Sequence, residues 1–271
     1  MIPRDYITEW RAKVPWVQDF QVEQDLVISR ALVALFNHPV LAKSLAFRGG
    51  TALYKLHLKP AARYSEDIDL VQTNAEPAGP IMSALRDVLD PWLGRPQWKQ
   101  TAGRVTFVYR FDSEDAPPLR LRLKVEINSR EHFSVCGVTG FPFAVSSRWF
   151  SGESVISTYV LDELLGTKMR ALYQRKKCRD LFDLAIALNN GNVDPDRVIA
   201  VFLRYMEHGG HRVSWAEFER NIDAKLCDPQ FNGDIGPLLA AGIEWDSAAA
   251  AERVQSHLIA RLPGKPWQRE C

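Results

Sequence analysis

The chain has 271 residues, of which 46% are hydrophobic and 25% are charged. This composition is typical of a globular protein and excludes a wholly disordered, collagen-like or coiled-coil chain. The length predicts one large domain or two modest ones. The 34 basic and 33 acidic side chains leave a formal net charge of +1, so the overall charge alone does not favour nucleic acid or membrane.

No run of 18 or more apolar residues occurs, and the first residues lack the apolar core of a secretory signal. The cysteines are far apart and form no CxxC pair or zinc-ligand pattern. We therefore expect a cytoplasmic protein without a membrane partner. Free thiols are expected at Cys136, Cys178, Cys227 and Cys271.

Apolar residues at helical spacing predict a core helix over residues 20–37. The segment LAFRGG, residues 45–50, predicts a short buried strand that ends in a glycine turn. A second helix is predicted over residues 51–58, with Thr51 near its N-cap and Pro60 in the loop that stops it. The chain therefore begins as a mixture of helix and strand.

Strand patterns dominate the next part. Alternating apolar and polar residues predict strands over residues 67–72, 104–111 and 119–128, the last two as an antiparallel hairpin. A helix is predicted over residues 80–93 and a short strand over residues 154–158. This interleaving predicts an α/β fold of the α+β type with a mixed sheet.

Only helical periodicity remains in the last part of the chain. Five helices are predicted there, over residues 161–175, 179–190, 195–207, 214–226 and 246–262. We place the domain boundary where the strand patterns end. This predicts an N-terminal α/β domain over residues 1–157 and a C-terminal helical bundle domain over residues 158–271.

Two carboxylates stand out on the strand over residues 67–72. Asp67 and Asp69 alternate with apolar residues, so both acids project from one face, about 6–7 Å apart. Mg²⁺ binds one or two carboxylates together with waters and phosphate oxygens, and two such ions can stabilise a phosphoryl displacement. Glu126 lies on a predicted neighbouring strand, where it could complete a metal site, and Lys124 shares its face.

A glycine turn precedes this strand, at Arg48, Gly49, Gly50 and Thr51. Backbone N–H groups at a helix start can cradle a phosphate, and glycine lets the phosphate come close. Ser65 adds a hydroxyl that could bind a phosphate or the metal's ligands, although serine before a strand is commonly a turn residue.

Each of these features has an ordinary alternative. An isolated pair of acids is commonly solvated, a glycine pair is commonly only a turn, and Glu126 could be a surface residue of the hairpin. Their order along the chain favours a catalytic site over these alternatives. The order is that of a phosphoryl-transfer site: a glycine turn, a helix, the strand with Asp67 and Asp69, and then the strand with Glu126.

A basic run begins on the first predicted C-terminal helix and continues past its end. Residues 168–179 hold six basic side chains and no acidic one. Lys168, Arg175 and Arg179 recur at intervals of seven and four, which would form a stripe suited to a triphosphate. The alternative is a solvated basic face.

Two acids follow on the next predicted helix. Asp180 and Asp183 are three residues apart and share one side of it. Asp180 could stabilise the first turn without any catalytic role, and Asp183 could hold Arg179.

Four segments together resemble the AbiEii/AbiGii toxin family of nucleotidyltransferase-like proteins. They are FRGGTAL at 47–53, RYSEDIDL at 63–70, KMRAL at 168–172 with Arg175 after it, and RDLFDL at 179–184. The similarity spans about residues 45–190, and the combination is far more specific than the acid pair alone.

The resemblance implies a DNA polymerase β-like nucleotidyltransferase palm and a helical domain that completes the nucleotide and RNA cleft. It implies transfer of a nucleoside monophosphate from an NTP, with Mg²⁺ or Mn²⁺ as the cofactor. In some members the acceptor is the 3′ end of tRNA, which blocks translation and growth. The resemblance also implies a cognate antitoxin and a role in phage defence.

The residues and the resemblance together predict the site. The catalytic residues are Asp67, Asp69, Lys168 and Asp180. The metal ligands are Asp67, Asp69 and Glu126. The nucleotide-binding residues are Arg48, Gly49, Gly50, Thr51, Arg63, Ser65 and Asp183.

The sequence leaves two alternative functions open. A protein of the same fold could modify a protein side chain or a small molecule, or it could be a non-catalytic NTP-binding interaction module. The intact acid pair argues against the second, since adjacent carboxylates repel unless a cation is present. For an RNA acceptor, the basic run over residues 168–179 is the densest candidate surface.

Overall fold

The computed structural model describes residues 2–189 and 192–268. The chain divides into two compact units, Met1–Tyr159 and Val160–Cys271. No helix of the described residues is long and apolar enough to cross a membrane. Cys136, Cys178 and Cys227 are free thiols, and Cys271 lies outside the described residues.

Within its described residues, 2–159, the first unit contains five helices and seven strands. The helices are α1 (Arg4–Arg11), α2 (Asp19–Asn37), α3 (Pro39–Ser44), α4 (Gly49–Ala52), which continues as a π-helical turn (Leu53–His57), and α5 (Gly79–Leu93). The strands are β1 (Leu45–Arg48), β2 (Asp67–Gln72), β3 (Gln97–Thr101), β4 (Arg104–Asp112), β5 (Arg120–Asn128), β6 (Val138–Ser146) and β7 (Ser151–Tyr159).

All seven strands form one mixed sheet in the order β3-β4-β5-β2-β1-β7-β6. The pairs β2/β5 and β1/β7 are parallel and the other neighbours are antiparallel. Helix α2 is buried along most of its length and packs against this sheet. The predicted mixed α/β sheet is confirmed, and the central strands β1 and β2 carry the glycine turn and the two acids.

The structure of the first unit differs from the sequence prediction at helices α1 and α3, which were not predicted, at two strands and at one helix start. Strands β3 and β6 were not predicted, because both are edge strands with mostly exposed residues and β6 contains Gly140 and Pro142. The helix after β1 begins at Gly49, not at Thr51, and its N-cap residue Arg48 makes no side-chain cap bond. Thr51 is therefore inside the helix rather than at its cap.

The second unit is helical. Its helices are α6 (Leu161–Gln174), α7 (Cys178–Asn189), α8 (Pro195–His208), α9 (Trp215–Leu226), α10 (Pro229–Gly233) and α11 (Ser247–His257). Asp194, Ser214, Asp228 and Asp246 cap four of them with side-chain oxygens that accept backbone N–H groups. The predicted helical character is confirmed, and Asn190, the end of one predicted helix, lies outside the described residues.

Candidate active site

Strand β2 places Asp67 and Asp69 at the centre of the sheet. Its buried residues Ile68 and Leu70 alternate with these half-buried acids, so the two carboxylates share a face. Across the parallel ladder to β5, Asp69 lies opposite Glu126. Three carboxylates therefore meet on one face of two neighbouring strands.

Basic side chains separate these carboxylates. Lys124 Nζ lies 2.8 Å from Asp67 Oδ2 and 3.7 Å from Glu126 Oε2, while Arg104 Nε lies 3.3 Å from Glu126 Oε1. Burial opposes the charge of Lys124, but the hydrogen bond to Asp67 and the nearby acids outweigh it and raise the pKa of Lys124. The cluster is thus a compensated network of three acids and two bases.

Asp69 is the least compensated member of the network. Burial raises the pKa of its carboxyl, and the charge of Asp67 raises it further, against a smaller opposite effect of Arg48. A divalent cation would relieve this repulsion, and carboxylate oxygens are the ligands that Mg²⁺ and Mn²⁺ prefer. Asp67 and Asp69 therefore fit a divalent cation by their chemistry.

Glu126 is paired with two basic side chains in this structure. Within residues 2–189 and 192–268, no group of three or more His, Cys, Asp or Glu side chains is arranged to hold a metal ion. The metal set of Asp67, Asp69 and Glu126 therefore stays a prediction. Lys124 and Arg104 form ion pairs with Glu126, and Lys124 pairs more closely with Asp67.

The glycine turn is pressed against the acid strand. Gly49 has φ +84°, and a Cβ atom there would lie 3.1 Å from Cβ and Cγ of Asp69 and closer still to Oδ2. A Cβ atom at Gly50 would lie 3.0 Å from Ser65 Oγ and 3.3 Å from Arg63 Cζ. The two glycines are needed because the motifs at 47–53 and 63–70 pack directly on each other.

Thr51 joins the same two motifs from inside the helix. Its buried hydroxyl donates to the Asp67 carbonyl oxygen at 2.6 Å and lies 2.9 Å from Ser65 Oγ. The predicted phosphate-binding hydroxyl is thus engaged within the protein, where it holds the start of β2. Ser65 remains half-buried beside it.

The two predicted nucleotide-binding arginines are largely buried. Arg48 forms an ion pair with Glu131 at 2.8 Å, and this pair outweighs the effect of burial and raises the pKa of Arg48. Arg63 is 2% exposed, donates to the Tyr64 carbonyl at 2.9 Å, and lies over the ring of Tyr54. Both arginines support the turn from within, and no sequence pattern pointed to Glu131.

The helical unit contains a second charged cluster. Lys168 Nζ lies 2.8 Å from Asp183 Oδ2 and 3.2 Å from Asp180 Oδ1, and both acids are fully buried. Arg175 binds Asp180 through two nitrogens at 2.7 and 2.8 Å. Burial opposes the charge of Asp180, but Lys168 and then Arg175 outweigh it and lower the pKa of Asp180.

The basic run over residues 168–179 is mostly paired, which corrects the predicted basic stripe. Besides the pairs of Lys168 and Arg175, Lys176 binds Asp228 at 3.3 Å and Lys177 binds Asp234 at 3.7 Å. Arg170 lies over the Tyr205 ring. The run lacks acids in sequence, but acids from later in the chain pair with Lys168, Arg175, Lys176 and Lys177 in space.

Sequence reasoning also missed Lys225 on α9. This buried lysine donates to the carbonyl oxygens of Leu172 and, at 2.9 Å, of Tyr173, which are among the last carbonyls of α6. Burial lowers the pKa of Lys225 to about 8. The lysine holds the end of the helix that carries Lys168, and nothing in the pattern of α9 indicates this contact.

Solved structures of similar shape identify the class of fold. MenT4, a nucleotidyltransferase toxin from Mycobacterium tuberculosis H37Rv, aligns with a TM-score of 0.69 at 17% identity over 97% of this chain and 91% of its own. A putative nucleotidyltransferase from H. pylori aligns with a TM-score of 0.56 at 16% identity over 89% and 94% of the two chains. The chain therefore has a nucleotidyltransferase fold.

The family follows from sequence. The family model of the nucleotidyl transferase AbiEii toxin of type IV toxin-antitoxin systems matches residues 30–253, which is most of the chain. The protein belongs to this family, as its motifs predicted. A comparison with curated protein sequences gives no significant match. As a family member, the protein is a nucleotidyltransferase toxin with an NTP substrate and a cognate antitoxin.

Proposed function

We propose that this toxin transfers a nucleoside monophosphate from an NTP to the 3′ end of tRNA and thereby blocks translation. The observation that carries the proposal is the acid pair Asp67 and Asp69, held on β2 directly against the glycine turn at Gly49 and Gly50. This arrangement puts potential metal ligands beside the glycine turn, whose backbone we expect to bind phosphate.

In the reaction, the RNA 3′ oxygen forms a bond to the α-phosphorus of the NTP and its proton passes to solvent. The bond from the α-phosphorus to the bridging oxygen breaks, and pyrophosphate leaves with the electron pair. Asp67 and Asp69 would hold Mg²⁺ or Mn²⁺, which supplies charge neutralisation of the phosphates when bound. Gly49 and Gly50 would bind phosphate oxygens through the backbone.

Lys168 would bind the leaving pyrophosphate, as the family resemblance implies. The ion pairs with Asp180 and Asp183 support this role, because they hold the lysine in one orientation. Asp180 is then a positioning residue, itself fixed by Arg175.

Labelled NTPs incubated with total tRNA test the proposal, with each of the four nucleotides in a separate reaction. We expect one or more NTPs to label tRNA, and Asp67→Ala to abolish the transfer. Asp87→Ala is the matched control, because Asp87 is an exposed acid on α5 of the same unit. Label found only in protein or in small molecules would overturn the proposed acceptor, and undiminished transfer by Asp67→Ala would overturn the proposed site.

A further inference from the structure

A cavity of about 310 Å³ lies in the N-terminal unit next to the acid strand. Its volume is at the lower end of the range for ligand pockets, which suits one nucleotide. Thr51 and Ser65 line part of it, and the Thr51 hydroxyl contacts the backbone of Asp67. The cavity therefore lies beside residues that contact the start of the strand carrying both acids.

The interior of the cavity is polar and preorganised. Asp25 accepts a hydrogen bond from Trp10 Nε1 at 2.9 Å and forms an ion pair with Lys55 at 2.7 Å. Lys55 also donates to Ser29 Oγ at 2.8 Å. All four residues line the cavity, and buried partners hold these groups in place.

The remaining walls combine aromatic rings with positive charge. Trp16, Tyr54 and Phe143 line the cavity, where Arg63 lies over the Tyr54 ring. Aromatic side chains are groups against which a nucleobase can stack. Four cationic side chains line it with a single acid, Asp25, which is already paired with Lys55. The exposed members, Lys13 and Lys59, place positive charge where the cavity meets solvent.

We propose that this cavity holds the 3′-terminal nucleotide of the RNA acceptor. The base lies against the aromatic walls, the 3′-hydroxyl faces Ser65 and the start of β2, and the 5′ phosphate lies near Lys13 and Lys59. This inference rests on the proposed function, since it presupposes an RNA acceptor.

The charge distribution favours the acceptor over the NTP as the occupant. In the proposed function, the acid pair with a divalent cation and the glycine turn bind the triphosphate. The cavity instead has the exposed Lys13 and Lys59 where it meets solvent, and its one acid is paired with Lys55, which suits a phosphodiester that binds without a metal ion.

Crosslinking locates the acceptor end without turnover. A tRNA transcript with 4-thiouridine as its 3′-terminal nucleotide is irradiated with the full-length protein in EDTA and without NTP, and the adduct is mapped by mass spectrometry. We expect adducts at Trp16, Tyr54 or Phe143. Adducts at other residues, or no adduct, would overturn the inference. It would also be overturned if 4-thio-UTP, used instead of the tRNA, formed adducts at these same residues.

Steady-state kinetics of Lys59→Glu provide the second arm, with Lys43→Glu as the control. Both lysines are exposed in the same unit, but only Lys59 lines the cavity. We expect Lys59→Glu to raise the KM for tRNA about tenfold and leave the KM for NTP within twofold, which corresponds to one lost charge-assisted contact. A rise in the KM for NTP, or no change in either, would contradict the proposal.

The two arms separate this inference from the proposed function. Adducts in the cavity from a protein that transfers no label to tRNA would overturn the proposed activity and retain the binding site. Transfer to tRNA with adducts elsewhere would retain the activity and overturn the assignment of the cavity.

Discussion

Replacing Gly49 with alanine tests whether the glycine turn keeps the Asp69 carboxylate in place. The substitution has two effects in this structure. Alanine at φ +84° carries a backbone penalty of about 1–2 kcal/mol. Its Cβ would also overlap Asp69 Oδ2, so the carboxylate would have to shift by about 1 Å, a displacement that can reduce turnover about 100-fold.

Gly137→Ala is the matched control for the backbone effect. Gly137 has φ +85° in the same unit, and a Cβ atom there meets nothing within 4 Å. We expect both variants to lower the urea midpoint of unfolding, and Gly49→Ala to lower it further because of its overlap with Asp69. Only Gly49→Ala should also lose label transfer from NTP, by about 100-fold. Transfer by Gly49→Ala within threefold of wild type would refute the reasoning.

Three further perturbations address the charged groups. Lys168→Met should destabilise the helical unit by roughly 3–5 kcal/mol in urea unfolding, because it leaves two buried acids without this partner. Lys177→Met, which removes a half-exposed lysine 3.7 Å from its acid, should change stability by less than about 1 kcal/mol, and equal losses would argue against the buried cluster. Above pH 8 the unfolded chain, in which Lys225 keeps its ordinary pKa of 10.5, binds more protons than the folded chain. Stability of the wild type relative to Lys225→Met should therefore rise between about pH 8 and pH 10, by up to about 1.4 kcal/mol per pH unit, and a flat or falling difference would contradict the lowered pKa. EDTA should abolish label transfer and added Mg²⁺ or Mn²⁺ should restore it, whereas transfer in EDTA would exclude a metal at Asp67 and Asp69.

The parts of the fold that could be predicted are those with a local pattern. Strands β2, β4 and β5 alternate apolar and polar residues because one face of each is buried, and α2 has an apolar period because it packs on the sheet. Strands β3 and β6 lie at the two edges, where little is buried, so their sequences carry no such pattern.

The sequence by itself determined the family, the order of the motifs and the common face of Asp67 and Asp69, because these depend on neighbouring residues and on the period of a strand. Only the tertiary structure decided which charges meet. It placed Lys124 and Arg104 against the acids, paired the basic run with acids such as Asp228 and Asp234, and engaged the Thr51 hydroxyl within the protein. Charges act through space at distances of a few ångströms, so a chain's local net charge does not predict the charge that its folded surface presents.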